Sequence, residues 1–433
     1  MRIYSAIALI AISILLAVIL PQSMFPLACI LAIASLHWER SLMAAFFALA
    51  AAHVIGGYFI AYLGQDSIYW LFNQHQFWFA QASLTIALGL FSMSTAYRMS
   101  HKTTETWINR LAIDEDRLRL AVRVIVLIAA GAMFYIYSGL SIVDLALENL
   151  SQLGKLRYLG GESASDVYWI ARASDALVCT LPLLWLLKKG KLDYLIYAFG
   201  FLALIPPLRR AAIFSVLLLP FLVQTRQVNY RKVAVTFLIL LCLYVVSQVY
   251  FLQLDQDETL TAVASALPEA RDLGWVMQLL GSHYLYGATF IQPFDPVPAF
   301  IDTWKETHSM GYITATLLGL DPDERTFGGL RVTLAGEAFM NFWLFGPVIF
   351  GLLLGYGAAW ARRSMDHART LPIRYLAVTA FIWICLWLYM GGTQAVATLK
   401  FELVVLVVVY FAARKRTAPA TDVALQPAAS SAG

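Results

Sequence analysis

The chain has 433 residues, of which 60% are hydrophobic and only 13% charged, with a net charge of +4. A soluble globular protein carries about 25% charged residues, so that class is excluded, and so modest a net charge gives no reason to expect a nucleic-acid partner. Apolar runs near 20 residues recur from end to end, the length a helix needs to cross a bilayer, and the expected fold is an all-α polytopic membrane protein.

In chain order, spans are predicted near 3–20, 24–36, 41–63, 77–98, 120–140, 167–187, 192–207, 211–225, 233–252, 333–360, 374–391 and 395–413. The first begins after Met1-Arg2 without a small-residue cleavage site and reads as a retained span. The second, seventh and eighth are short, which suits tilted, partly re-entrant or shielded helices. Residues 1–252 thus hold spans one to nine, 253–332 form a large loop, and 333–413 hold spans ten to twelve. The tail 414–433, rich in Ala, Pro, Thr and Ser, is expected to be disordered. Cys29, Cys179, Cys242 and Cys385 all fall inside spans, and their spacing resembles neither a disulfide framework nor a metal site. No metal or other cofactor is expected.

Lys and Arg set the orientation. With the N-terminus in the cytoplasm, alternate loops collect 21 of the 31 basic residues, among them Arg98, Lys188, Lys189, Arg226, Arg362, Arg363 and Arg414. Both termini are therefore expected in the cytoplasm, and the large loop on the external side. The exceptions are informative because topology selects against them. Lys155 and Arg157 lie in the external loop near 141–166, and Arg209 and Arg210 in the short external turn Pro206-Pro207-Leu208-Arg209-Arg210. Arg271, Lys305, Arg325 and Arg331 lie in the large loop, while Arg172 and Lys400 fall inside spans.

The large loop is too long for a connector. It has helix-like stretches at Thr259–Leu267 and Asp272–Leu280, broken at Pro268. An aromatic-rich segment from Gly281 to Phe290 follows, containing His283, Tyr284 and Tyr286. Aromatic faces beside amides and carboxylates suit sugars; a membrane-interface belt is the alternative use of the same residues.

Three features together resemble the bacterial oligosaccharide repeat-unit polymerases of the Wzy type: the long external loop, the arginine pair before a short span, and the run Gly336-Glu337-Ala338-Phe339-Met340-Asn341-Phe342-Trp343-Leu344-Phe345-Gly346-Pro347. The resemblance covers the architecture from about residue 120 to 413. Many members of that family place an arginine at the outer end of a late span, whereas Met390-Gly391-Gly392-Thr393 has none and Lys400 lies further along. The resemblance implies a GT-C-like membrane glycosyltransferase of the inner membrane, acting in O-antigen or exopolysaccharide synthesis. It would transfer a growing glycan from undecaprenyl pyrophosphate to the non-reducing end of a new lipid-linked repeat, at the periplasmic face and without a nucleotide sugar. Implied partners are the lipid-linked oligosaccharide, membrane lipids and a chain-length regulator.

Such a donor leaves as a pyrophosphate, and guanidinium groups hold phosphate oxygens in a bidentate fork. Arg209 and Arg210 stand at a helix start, where free N–H groups add to their charge; snorkelling to lipid phosphates is the alternative. Arg331, Arg271 and Arg325 are further candidate anion-holding residues, or else solvated loop cations. The acceptor hydroxyl needs a general base. Glu337 is the first candidate, with His308 and then His283 behind it; the other reading of Glu337 is a carboxylate stabilised by a helix N-terminus. Arg172 and Asp175, three apart, share a helix face and either pair with each other or present Arg172 to the lipid pyrophosphate. Glu402 is a candidate partner for Lys400. Tyr284 and Tyr286 are candidate sugar-binding residues. An O-antigen ligase and a lipid-linked oligosaccharide flippase are the competing readings. No nucleophile elbow, Walker loop or His-Glu-x-x-His pair is present.

Overall fold

The computed structural model describes residues 3–36, 46–48, 50, 51, 54, 76–100, 106–138, 164–205, 210–225, 235, 239, 269–280, 285–291, 308, 312, 313, 316, 332–388 and 392–414. Their helices are α1 (Ile3–Ile19), α2 (Met24–Ala34), α3 (Gln76–Ser100), α4 (Glu115–Ser138), α5 (Ala164–Leu187), α6 (Lys191–Ala203) and α7 (Arg210–Gln224). They continue with α8 (Glu269–Leu280), α9 (Ala288–Ile291), α10 (Leu334–Phe342), α11 (Phe345–Asp366), α12 (Leu371–Trp387) and α13 (Gly392–Ala412). The protein is all-α. Among the described residues there is no strand, only an isolated antiparallel bridge between Ile113 and Arg414.

Most predicted spans correspond to a helix, but span ten does not. It is interrupted at Trp343-Leu344, so that α10 and α11 are separate helices. Trp343 takes φ 53° and ψ −151°, a backbone region otherwise left to glycine, and Gly346-Pro347 opens the new helix. Gly346 backs directly onto the carbonyl of Ala338, and any side chain there would collide with it. The spans predicted near 41–63 and 233–252 lie outside the described residues except for helical positions 46–48, 50, 51, 54, 235 and 239, and the helix-like stretch 259–267 lies wholly outside them.

Two helical segments, Phe77–Ser100 and Glu115–Ile136, are long and apolar enough by length and composition to cross a membrane. The first is 83% buried inside the protein over its most apolar window and the second 28%, so α3 is central and α4 peripheral. Gly351 and Gly355 of α11 press against the carbonyls of Gly89 and Met93 of α3. A small residue every fourth position lets two backbones approach this closely. Around α5 pack α4, α6, α7, α12 and α13. Pro182 inside α5 removes one helical hydrogen bond. Nearby, the Tyr375 hydroxyl donates to the Cys179 carbonyl at 2.6 Å and fixes α12 against this turn.

The peripheral helices are apolar on their outward faces as well. Exposed large side chains are Leu120, Val124, Leu127 and Ile128 on α4, then Leu192, Leu195, Phe199 and Leu202 on α6. On α13 they are Leu403, Val404, Val407, Val408 and Phe411. Each set follows the three-and-four spacing of one helix face.

Among the described residues, cationic helix ends meet at one end of the bundle. Arg98 donates to the Leu36 carbonyl at 2.6 Å, joining the ends of α3 and α2. Thr106 and Asn109 bond Ser364 near the end of α11. The Asp114 N–H reaches the Ala413 carbonyl at 2.9 Å, tying the start of α4 to the end of α13. Arg123 Nε lies 2.6 Å from Asp193 Oδ1, and Lys189 Nζ 2.8 Å from Asp116 Oδ1, linking α4, α5 and α6. Asp193 also accepts the N–H groups of Lys189 and Gly190, capping the start of α6. Arg374 donates to the Thr225 carbonyl at 2.9 Å, joining the start of α12 to the end of α7.

Candidate functional site

Away from that cationic end, α10 carries Glu337. Thr333 caps the helix, its Oγ1 accepting the Gly336 N–H at 3.0 Å, and the Glu337 N–H donates to the Thr333 carbonyl at 2.8 Å. Glu337 lies in the first turn, where the helix dipole favours negative charge, and is 0% exposed. Glycines make this burial possible. Leu273 of α8 occupies the space where Gly336 would carry a side chain, and Phe79 of α3 does the same to Gly274 of α8. Ala335 and Leu388 both meet α3 at Gly89, in the middle of that helix.

Asn341, one turn after Glu337, ties a loop segment to α10. Its Oδ1 accepts the Gly287 N–H at 2.6 Å, and its Nδ2 donates to Thr289 Oγ1 and to the Glu337 carbonyl, each at 2.8 Å. The Leu285 N–H donates to the Met340 carbonyl at 2.9 Å. Phe290 stacks on Phe350 at 4.5 Å and on Phe342 at 5.9 Å between ring centroids. A buried amide, a buried hydroxyl and stacked rings therefore hold residues 285–291 onto the helix that bears the carboxyl. Tyr286 projects from this segment, 84% exposed, with φ 47°.

The remaining candidates are distributed as follows. Arg172 Nη1 donates to Asp175 Oδ2 at 3.1 Å, as the three-residue spacing predicts, and its guanidinium sits 5.8 Å from the Phe401 ring centroid on α13. Arg210 is the first residue of α7, which packs on α5, the helix of Arg172. Arg271 lies in the first turn of α8. The side chains of Arg210, Arg271 and Lys400 lie outside the described structure, as do the whole residues Arg209, Arg325, Arg331, His283 and Tyr284. Glu402 is buried, and His308 is half-buried. Glu337 and Tyr286 thus share one unit built from α8, α9 and α10, while Arg172 and the start of α7 belong to the neighbouring helices; α13 touches both α5 and α10.

Sequence reasoning gave no role to Asn341, Thr289 or Thr333. A lone amide four residues after the acid, in an otherwise apolar run, was the signal for Asn341. No group of three or more His, Cys, Asp or Glu able to hold a metal occurs among the described residues.

No protein-family model matches the chain, and no curated protein or solved structure is significantly similar to it.

Proposed function

We propose that this protein is a multi-pass enzyme of the bacterial inner membrane that polymerises undecaprenyl-pyrophosphate-linked oligosaccharide repeat units at the periplasmic face. The observation that carries this reading is Glu337: a carboxyl with no exposed surface, on a short separate helix, with a loop segment fastened over that helix. Burying an acid is costly and such groups collect at functional sites, which makes Glu337 the candidate base. The outward apolar faces of α4, α6 and α13 support a lipid setting, and the gathered cations support a cytoplasmic position for their end.

In this reading an acceptor sugar hydroxyl attacks the anomeric carbon of the donor glycan. Glu337 takes the hydroxyl proton, the new glycosidic C–O bond forms, and the bond to pyrophosphate breaks. The electron pair leaves on undecaprenyl pyrophosphate, whose charge Arg209 and Arg210 stabilise with the N-terminus of α7. His308 is the alternative base. Arg331, Arg271, Arg325 and Arg172 supply further positive charge, and Tyr284 and Tyr286 contact sugar.

The test is purified protein given lipid-linked repeat units alone. A ladder of glycan lengths is the expected result. No product until lipid A-core is added would assign the protein as a ligase instead. A flippase is the reading favoured by the charges buried inside the bundle, Asp175 and Glu402. It would win if Arg209→Ala left elongation intact but stopped repeat units from reaching the periplasm.

A further inference from the structure

The turn Leu285–Ala288 has a geometry that its sequence does not favour. The Ala288 N–H donates to the Leu285 carbonyl at 3.0 Å, and the two central residues, Tyr286 and Gly287, have φ 47° and 88°. Two positive φ values at these positions are those of a type I′ turn, whose first central position takes Asn, Asp or Gly. A tyrosine there crowds its Cβ against the backbone. Burial does not offset that strain, because Tyr286 is 84% exposed. The surroundings impose the turn: Asn341 holds the Gly287 N–H at 2.6 Å and Thr289 at 2.8 Å, and both of these side chains are buried. Strain of this kind persists only where neighbouring structure over-determines it, and it concentrates at ligand contacts.

We propose that Tyr286 is a ligand-contacting residue, a rigid stacking face for a sugar ring of the acceptor repeat, and that Asn341 is the positioning residue that holds it. This rests on the glycan reading above for the class of ligand. The ring offers a flat apolar face, which suits the C–H face of a sugar. The buried Asn341 carries the connection to α10, because the same amide bonds the Tyr286–Gly287 turn and the Glu337 carbonyl.

The experiment measures melting temperature and binding of undecaprenyl-pyrophosphate-linked repeat units in detergent micelles, for wild type, Tyr286→Phe and Tyr286→Asn. Tyr286→Asn suits the turn and removes the ring. It is expected to melt above wild type without ligand, yet to bind about tenfold more weakly. Tyr286→Phe is expected to bind as wild type does. Adding Asn341→Ala to Tyr286→Asn is expected to weaken binding no further, since both act through one face. Wild-type binding by Tyr286→Asn, a lowered melting temperature for it, or no binding by wild type would overturn the proposal. Fully additive losses would overturn the role of Asn341. Binding that depends on Tyr286 without any glycan ladder would sink the polymerase reading alone.

Discussion

At the scale of single residues, Asp193 and Glu337 are both buried acids. Asp193 is held by Arg123 and by two backbone N–H groups, in a junction that fastens α6 to α4 and α5. Removing the guanidinium by Arg123→Ala leaves that carboxylate short of its charge partner, and a loss of about 2–3 kcal/mol is predicted, read as a lowered midpoint in denaturant. In the proposed mechanism Glu337 is the general base. Glu337→Gln keeps the shape and removes the base, so elongation should fall by about 100-fold or more while the melting temperature is not lowered. Unchanged elongation would remove Glu337 from the mechanism. The sequence made Glu337 visible as a lone acid in an apolar run. It could not reveal what Asn341 does, because that amide bonds residues 52 and 54 positions away, across a loop whose path no local pattern sets.

At the scale of elements, helix positions were legible because apolar runs and charged ends mark them. Span six, expected near 167–187, is α5 at Ala164–Leu187, and the expected stretch Asp272–Leu280 is α8 at Glu269–Leu280. The break in span ten was hidden, since it turns on Trp343, an aromatic in a conformation that sequence rules reserve for glycine. Only Gly346-Pro347, just inside the start of α11, signalled it. The glycines of α11 also have a packing role that composition does not show. Gly351→Leu would drive a side chain into the Gly89 carbonyl and Ser92, parting α11 from α3. Overpacking typically costs about 1–3 kcal/mol, and backbone contact puts this case at the upper end or beyond. The prediction is a sharply lowered melting temperature with elongation lost alongside. Gly131→Ala, with open space around it, is the matched control and should melt no lower than wild type.

At the scale of the whole molecule, the proposed orientation of the bundle rests on charge and apolar surface together. Among the described residues, cationic helix ends join one another through contacts such as Arg98–Leu36, Lys189–Asp116 and Arg374–Thr225. The charged helix ends themselves were legible, because Lys and Arg interrupt the apolar runs there. The depth of α10 was not, since it depends on small residues stacking at Gly89, Gly336 and Gly346. The proposed chemistry requires the Arg209-Arg210 pair to face the donor lipid on the outer side, and the most direct measurement is cysteine accessibility. In a chain freed of Cys29, Cys179, Cys242 and Cys385, Leu208→Cys beside the intact pair would be exposed to a membrane-impermeant maleimide in intact spheroplasts, with Gly190→Cys as the cytoplasmic reference. Labelling at 208 without permeabilisation, and at 190 only after it, is the predicted result. Labelling at 208 only after permeabilisation would place the arginine pair beside the cytoplasm and contradict the mechanism.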